Sequence, residues 1–401
     1  MVIGDVLKTR LESIAPGGEA IGRFDGMPVF VEGGAPDETV LCRITEDRKT
    51  WARAELLEII EPSPVRVESA CAYNDKCGGC PLQHIDYKTQ LTVKKSILKD
   101  SFSRIGGIPV PEIPVNGLST CGPPVYGLEV FPSPPWEYRN RVQFHCLRQF
   151  SADSHKYGLM GRRSAEIITV SDCPVAAPQI REVLRLKEKE LPLPPEKDRF
   201  TVFAKDEVLL SEGGRQKGKI KLLEKEILID AGLFFQSNCF MLEKLILELH
   251  KIAERADRSL PMADLYCGVG TFAIFLAELF PKIILAEENK SAISLARENL
   301  RGTDAEFFAV RDTEWPRTIL RHKNVIGFAI VDPPRAGLNS KTASALAQEG
   351  PPLLAYVSCN AASLARDAKI LLNGGYKLKE LKLFDFYPQT AHIESLAVFG
   401  R

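Results

Sequence analysis

The first sixty residues alternate apolar and polar positions in short runs, as in Met27-Pro28-Val29-Phe30-Val31 and Val40-Leu41-Cys42-Arg43-Ile44. Turn residues such as Gly17-Gly18 and Gly33-Gly34 break the runs. Period-two alternation with closely spaced turn signals predicts a small antiparallel β-barrel over residues 1–60, with a boundary at Pro62-Ser63-Pro64. Residues 61–232 read as a mixed α+β region. Helical spacing appears at 86–105 and 178–190, around a stretch holding Pro123-Pro124, Pro132 and Pro134-Pro135. From residue 233 the pattern becomes helices alternating with apolar strands. Helices are expected at 239–256, 272–280, 291–300 and 363–373. Strands are expected at 262–266, 282–287, 305–310, 325–331 and 354–358, with two more near 376–386 and 393–399. Such alternation predicts βαβ units and a Rossmann-like α/β domain over 233–401, with the last two strands antiparallel.

A length of 401 residues fits two or three domains. With 45% apolar and 26% charged residues the chain is too apolar to be disordered. No apolar run approaches the roughly 18 residues a membrane span needs. The start, Met1-Val2-Ile3-Gly4-Asp5, lacks the features of a signal peptide, so a cytoplasmic protein without a membrane partner is expected. The 52 basic and 52 acidic side chains cancel, which argues against a uniformly basic nucleic-acid binder. The balance is uneven along the chain. Residues 1–60 hold 7 basic and 11 acidic groups, whereas residues 71–163 hold 12 and 7. That excess predicts a local basic surface including Arg139, Arg141, Arg162 and Arg163.

Candidate chemistry lies at the predicted strand ends. Asp264-Leu265-Tyr266-Cys267-Gly268-Val269-Gly270-Thr271 leads from a strand through a glycine turn into a helix, where the backbone can approach a ligand closely. The next strand ends Ala286-Glu287-Glu288, and Glu288 aligns with the acidic position that binds ribose hydroxyls. These two features suit a nicotinamide dinucleotide or S-adenosylmethionine. Asp332, in Asp332-Pro333-Pro334-Arg335-Ala336-Gly337, follows another strand and faces the ligand side of such a sheet. Cys359, in Ser358-Cys359-Asn360, ends a buried strand where a thiolate can act as a nucleophile. Glu394, in His392-Ile393-Glu394-Ser395, opens the last strand, where a carboxylate can serve as a base.

Ten cysteines are many for a chain without an export signal. Cys42, Cys121, Cys146, Cys239 and Cys267 look isolated and suit buried apolar positions. Cys71, Cys77 and Cys80 form a Cys-x5-Cys-x2-Cys set, and Cys173 in Asp172-Cys173-Pro174 is the candidate fourth ligand. Four thiolates suit a tetrahedral zinc or a cubane iron–sulfur cluster, and spacing alone leaves both open.

Together these motifs resemble the RNA 5-methyluridine methyltransferases of the TrmA/RumA type over almost the whole chain. Gly18-Glu19-Ala20-Ile21-Gly22 and Val29-Phe30-Val31 resemble a TRAM domain, an OB-like RNA-binding module. The cysteine pattern resembles the [4Fe–4S] site of the branch acting on 23S ribosomal RNA, whereas the tRNA-specific branch typically lacks both barrel and cluster. Tyr138-Arg139-Asn140-Arg141 looks like the family's central segment, and Phe235-Gln236-Ser237-Asn238 like its motif before the Rossmann-like domain. The resemblance implies an RNA (uracil-5-)-methyltransferase using S-adenosylmethionine. Gln236, Tyr266, Gly268, Thr271, Glu288, Asp312 and Asp332 would line the cofactor and substrate site, and Thr271 stands where some members carry Asn. Cys359 would be the nucleophile that attacks a flipped uridine, and Glu394 the base. Cys71, Cys77, Cys80 and Cys173 would hold the cluster in a structural or RNA-binding role. RNA, most of all 23S rRNA, is the expected partner, and a monomer the expected state. A nicotinamide-dependent oxidoreductase fits the glycine spacing and the Asp332-Pro333-Pro334 loop less well. A non-catalytic RNA-binding or iron–sulfur regulatory protein would not need Cys359, Glu394 and the cofactor loop together.

Overall fold

The computed structural model describes residues 1–110, 127–147, 156–185, 197–318 and 326–401. Cys121, Pro123-Pro124, the end of the helix expected over 178–190 and the start of the strand expected at Val325 lie outside the described residues. In chain order the first strands are β1 Val6–Ile14, β2 Ala20–Phe24, β3 Met27–Val31, β4 Thr39–Asp47 and β5 Ala52–Glu61, followed by α1 Tyr87–Ser101. Then come β6 Leu128–Phe131, β7 Arg141–Leu147, β8 Lys156–Met160, β9 Ile167–Ile168 and α2 Pro178–Arg185. β10 Arg199–Lys205, β11 Val208–Ser211, β12 Lys217–Leu222 and β13 Lys225–Asp230 precede α3 Cys239–Ala253. The remaining elements are β14 Met262–Leu265, α4 Thr271–Leu276, β15 Ile283–Ala286, α5 Lys290–Asn299, β16 Ala305–Phe308 and α6 Trp315–Thr318. After these follow β17 Phe328–Val331, α7 Ser340–Glu349, β18 Leu353–Ser358, α8 Ala361–Asn373, β19 Lys377–Phe384 and β20 Glu394–Gly400. No helix among the described residues is long and apolar enough to cross a membrane.

The chain divides into two compact units. The first comprises Met1–Ile97, Phe144–Pro174 and Tyr387–His392. Its strands β1 to β5 close into a barrel in the order β1-β2-β3-β5-β4, with Leu7, Thr9 and Leu11 of β1 turned inward. Gly34 is required there. A Cβ at that position would come 2.3 Å from Leu11 Cδ1.

In this unit Arg162 pairs with Glu32 at 3.3 Å, and Arg163 pairs with Glu19 and Glu32. The acidic barrel thus takes up part of the positive excess beside the cysteines. Arg139 and Arg141 belong to the other unit.

The second unit comprises Leu98–Gln143, Val175–Phe386 and Ile393–Arg401. Its sheet runs β16-β15-β14-β17-β18-β20-β19-β6. β14 to β18 are parallel, and β20 is antiparallel to both its neighbours. The sheet therefore does not begin where the change of sequence texture places it. β6, about 130 residues before β14, pairs parallel with β19, and Phe131 stacks on Phe384 at 4.4 Å between centroids. Four helices that follow this architecture's loops begin at asparagine caps. Asn238, Asn289, Asn339 and Asn360 accept backbone N–H groups at the starts of α3, α5, α7 and α8. α7 and the hairpins β10–β11 and β12–β13 have no counterpart in the sequence expectations.

Candidate active site

The carboxyl edge of the parallel strands gathers the predicted residues of the second unit. On its left flank, β14 and β15 end side by side, with Leu265 opposite Ala286. The chain then turns sharply: Tyr266, Gly268 and Gly270 are all left-handed, at φ 63°, 54° and 82°. A left-handed tyrosine is uncommon and marks a backbone held by its surroundings. Tyr266 donates its hydroxyl to Asp312 at 2.8 Å and sets its ring edge-on to Trp315 at 4.4 Å. Asp312 is thereby fixed beside the loop.

Asp264 is fully buried, and its Oδ2 accepts the Ala273 N–H at 3.2 Å, tying α4 back to β14. Burial, together with the charges of Asp332 and Glu287, raises its carboxyl to about 8, and its Oδ1 has no partner. Glu287 accepts from Gly268 N at 3.2 Å and Asn289 N at 2.8 Å, so it builds the loop. Glu288 is exposed, and Thr271 is half-buried at the first turn of α4. These features fit S-adenosylmethionine: an open glycine turn, a free carboxylate at the second strand end, and an aromatic–carboxylate pair where an adenosine would lie.

On the other flank one register brings together residues 35 positions apart. β18 and β20 are antiparallel with Ser358 opposite Ser395. The residue after Ser358 therefore faces the residue before Ser395, which sets Cys359 against Glu394. Ser395 Oγ donates to the Ser358 carbonyl at 3.2 Å and locks the pairing. Asp332 follows β17, whose Val331 pairs with Tyr356 of β18. Burial pushes the Cys359 thiol up to about 11; Glu394 and Asp332 add to this, and Arg335 opposes it. Glu394 is 2% exposed and held well above the usual carboxylate range by burial and by Asp332. Burial raises Asp332 to about 7.

The segment that holds Gln236 is anchored by a network around the residues that follow it. Asn140 accepts the Cys239 N–H at 2.9 Å and donates its own N–H to the Ser237 carbonyl at 2.7 Å. Asn238 donates to Ser133 Oγ at 2.9 Å and to the Phe386 carbonyl at 3.1 Å. The buried Oε1 atoms of Gln236 and Glu394 have no hydrogen-bond partner. Buried acceptors of this kind are costly unless a ligand satisfies them.

Two contributors escaped the sequence reading. Arg335 is the cation that opposes the raised Cys359 and Glu394. Its place directly after Asp332-Pro333-Pro334 was the available signal. Asp367 on α8 is fully buried, accepts from Tyr356 Oη at 2.7 Å and Leu338 N at 2.8 Å, and so pins the loop after Asp332. Gly337 in that loop is left-handed at φ 78°, and a Cβ there would lie 2.5 Å from Asp367 Oδ2.

The four predicted ligand cysteines all lie in the first unit. Their two segments are neighbours. Tyr73 Oη and Ser171 Oγ are 2.8 Å apart, and the Cys71 thiol, raised mainly by burial, also feels Cys77 and Asp172. Even so, among the described residues no three His, Cys, Asp or Glu side chains converge closely enough to hold a metal ion. The segments are adjacent, but the geometry contains no formed coordination sphere.

A Rossmann-like sheet with a glycine cofactor turn, an opposed thiol and carboxyl, and a separate barrel defines an RNA-modifying methyltransferase that uses S-adenosylmethionine. Comparison with known proteins agrees. Residues 225–401 match the tRNA (Uracil-5-)-methyltransferase family model, and residues 3–57 match the TRAM domain. An uncharacterized RNA methyltransferase of Treponema denticola is 33% identical over 394 residues, covering 94% of both chains. The 23S rRNA (uracil(1939)-C(5))-methyltransferase of Marinomonas sp. is 29% identical, with 100% of this chain and 96% of the other covered. The solved tRNA (uracil-54, C5)-methyltransferase of Pyrococcus abyssi, in complex with S-adenosyl-L-homocysteine, superposes with a TM-score of 0.71 at 25% identity, covering 98% of this chain and 100% of the other. The chain belongs to the TRAM-containing RNA (uracil-5-)-methyltransferase family. The Pyrococcus match runs the length of the chain, barrel included, so the barrel does not by itself select ribosomal RNA.

Proposed function

We propose that this enzyme methylates carbon 5 of a uridine in 23S rRNA through a covalent adduct with Cys359, with Glu394 as base. The observation that carries the reading is the β18–β20 register that opposes Cys359 and Glu394. The ribosomal target is supported by the full-length similarity to the Marinomonas enzyme.

Carbon 5 of uracil is a weak nucleophile. The Cys359 thiol gives its proton to solvent and the thiolate adds to carbon 6, placing an electron pair on carbon 5 as an enolate. Carbon 5 uses that pair to bond the methyl group that S-adenosylmethionine, when bound, would supply, the methyl–sulfur pair staying with S-adenosylhomocysteine. Glu394 then takes the proton from carbon 5, the released pair forms the carbon 5–carbon 6 double bond, and the carbon 6–sulfur bond breaks to free Cys359. A thiol suits the task because it both adds and leaves readily. Gln236, with its unpartnered carbonyl, and Asp332 orient the flipped uracil. Tyr266, Gly268, Thr271, Glu288 and Asp312 hold the cofactor.

Cys71, Cys77, Cys80 and Cys173 are assigned to a [4Fe–4S] cluster outside the reaction. The Cys-x5-Cys-x2-Cys spacing and the adjacency of the two segments support this. Iron and sulfide analysis with visible absorption tests it, and a colourless protein binding zinc would overturn it. The target is tested by mapping 5-methyluridine in RNA from cells with and without the gene. Loss from 23S rRNA is expected, and loss confined to tRNA would overturn the ribosomal assignment.

A further inference from the structure

The segment Tyr387–His392 connects β19 to β20 and ends two residues before Glu394, yet it folds with the barrel unit. The grip on it is polar and buried. Gln90 on α1 is 1% exposed and meets Gln389 with both ends of its amide. Its Oε1 accepts the Gln389 N–H at 2.8 Å, and its Nε2 donates to Gln389 Oε1 at 2.9 Å. Leu82 N donates to the Gln389 carbonyl at 2.9 Å. One turn along α1, the fully buried Lys94 donates its ammonium to the Tyr387 carbonyl at 2.8 Å. Gln389 itself is left-handed, at φ 68°.

Apolar packing would anchor a surface loop at less cost than a buried ammonium, a buried amide pair and a left-handed glutamine. What such a network adds is a single fixed backbone path, because a shift leaves several buried groups unpaired at once. The path fixed here leads into the carboxyl that must reach carbon 5. We propose that Gln90 and Lys94 are positioning residues for proton removal, acting through Gln389 and Tyr387 on the placement of Glu394. The inference rests on the base role proposed above.

The test separates addition from proton removal. Fluorine at carbon 5 cannot leave as a cation, so adduct formation with 5-fluorouridine RNA reports on addition and methyl transfer without proton removal, whereas turnover of ordinary RNA also needs Glu394. For Gln90→Met and Lys94→Met, turnover should fall roughly tenfold to a hundredfold, the range a misplacement near 1 Å produces. Adduct with ordinary RNA should accumulate, a carbon 5 deuterium isotope effect should emerge, and the 5-fluorouridine rate should stay unchanged. Unchanged turnover, or a parallel fall in both rates without an isotope effect, overturns the proposal. If Gln90→Met unfolds, Gln389→Gly decides the matter, since it keeps the left-handed backbone and removes only the side-chain bond. Glu394→Gln serves as the reference. If it accumulates adduct and the positioning variants do not, positioning alone fails. If it too accumulates none, the base role fails with it.

Discussion

The two flanks of the active edge are built in opposite ways. Around β14 and β15 the polar groups are largely used up in shaping the loop: Glu287 holds two backbone N–H groups, Tyr266 holds Asp312, and Asn299 bonds the carbonyls of Leu228 and Val269. Around β17, β18 and β20 the buried Oε1 atom of Glu394 lacks a partner, and burial raises Cys359, Asp332 and Glu394 together. The first flank is largely spent on its own loop, although Asp264 Oδ1 and Trp315 Nε1 are buried there without partners. The second is kept unsatisfied at a cost of about 1–3 kcal/mol per buried group, which a substrate base can recover. Substitutions should therefore change binding on the first flank and chemistry on the second.

The largest effect is expected from Cys359→Ala, which removes the proposed nucleophile. Turnover should fall by about 10⁴-fold or more while calorimetric affinity for S-adenosylhomocysteine is kept. Residual methylation above that level would break the contrast. Glu394→Gln should lower turnover by roughly 10²–10⁴-fold and leave a protein–RNA adduct on denaturing gels, because in the proposed order addition and methyl transfer precede proton removal. A variant that stalls without adduct would place Glu394 before addition.

On the first flank, two neighbouring acids should part company. Glu288 is exposed and makes no bond that shapes the loop, so Glu288→Ala should raise the KM for S-adenosylmethionine roughly tenfold, the loss of about one charge-assisted hydrogen bond, with kcat and thermal stability retained. Glu287→Ala should weaken cofactor binding and also lower stability by about 1–3 kcal/mol, since Gly268 N and Asn289 N lose their acceptor. Thermal melts with and without S-adenosylhomocysteine check both. Equal behaviour of the two variants would remove the distinction between the loop-building and the free carboxylate.

Cys359, Glu394, Asp332 and the glycine turn were legible in the sequence because each sits at a strand end, and strand periodicity survives in apolar runs such as Leu354 to Ser358. What places them against one another was not legible. The opposition of Cys359 and Glu394 depends on a strand register, and the last sheet position is filled by β6, whose sequence signal is only Leu128 to Phe131. The helix α7 is polar enough to pass for a loop, and Asn339 was its one clear start signal. Nor does a charge count show that Glu19 and Glu32 lie opposite Arg162 and Arg163. The cysteine spacing was clear, but spacing says nothing about how far side chains converge.

The two flanks also differ in their thiols, and this yields the finest test. Cys267, on the cofactor side, is 5% exposed and raised well above an ordinary thiol by burial and by Asp264. Cys359 is half-buried, with its thiol at about 11. Below that value the thiolate fraction grows about tenfold per pH unit, so iodoacetamide should label Cys359 at a rate rising steadily between pH 7 and pH 10, and Cys267 hardly at all. Glu394 and Asp332 raise the thiol because negative charge nearby disfavours the thiolate, and Arg335 favours it. Asp332→Asn should therefore move the labelling profile to lower pH and speed alkylation at pH 8 several-fold, while Arg335→Ala should move it to higher pH. Mass spectrometry of the labelled peptide measures both shifts. A midpoint near that of a free cysteine, about 8.5, or a profile indifferent to Asp332 and Arg335, would show that the reacting flank does not hold its thiol back, and the contrast between the two sides would lose its electrostatic half.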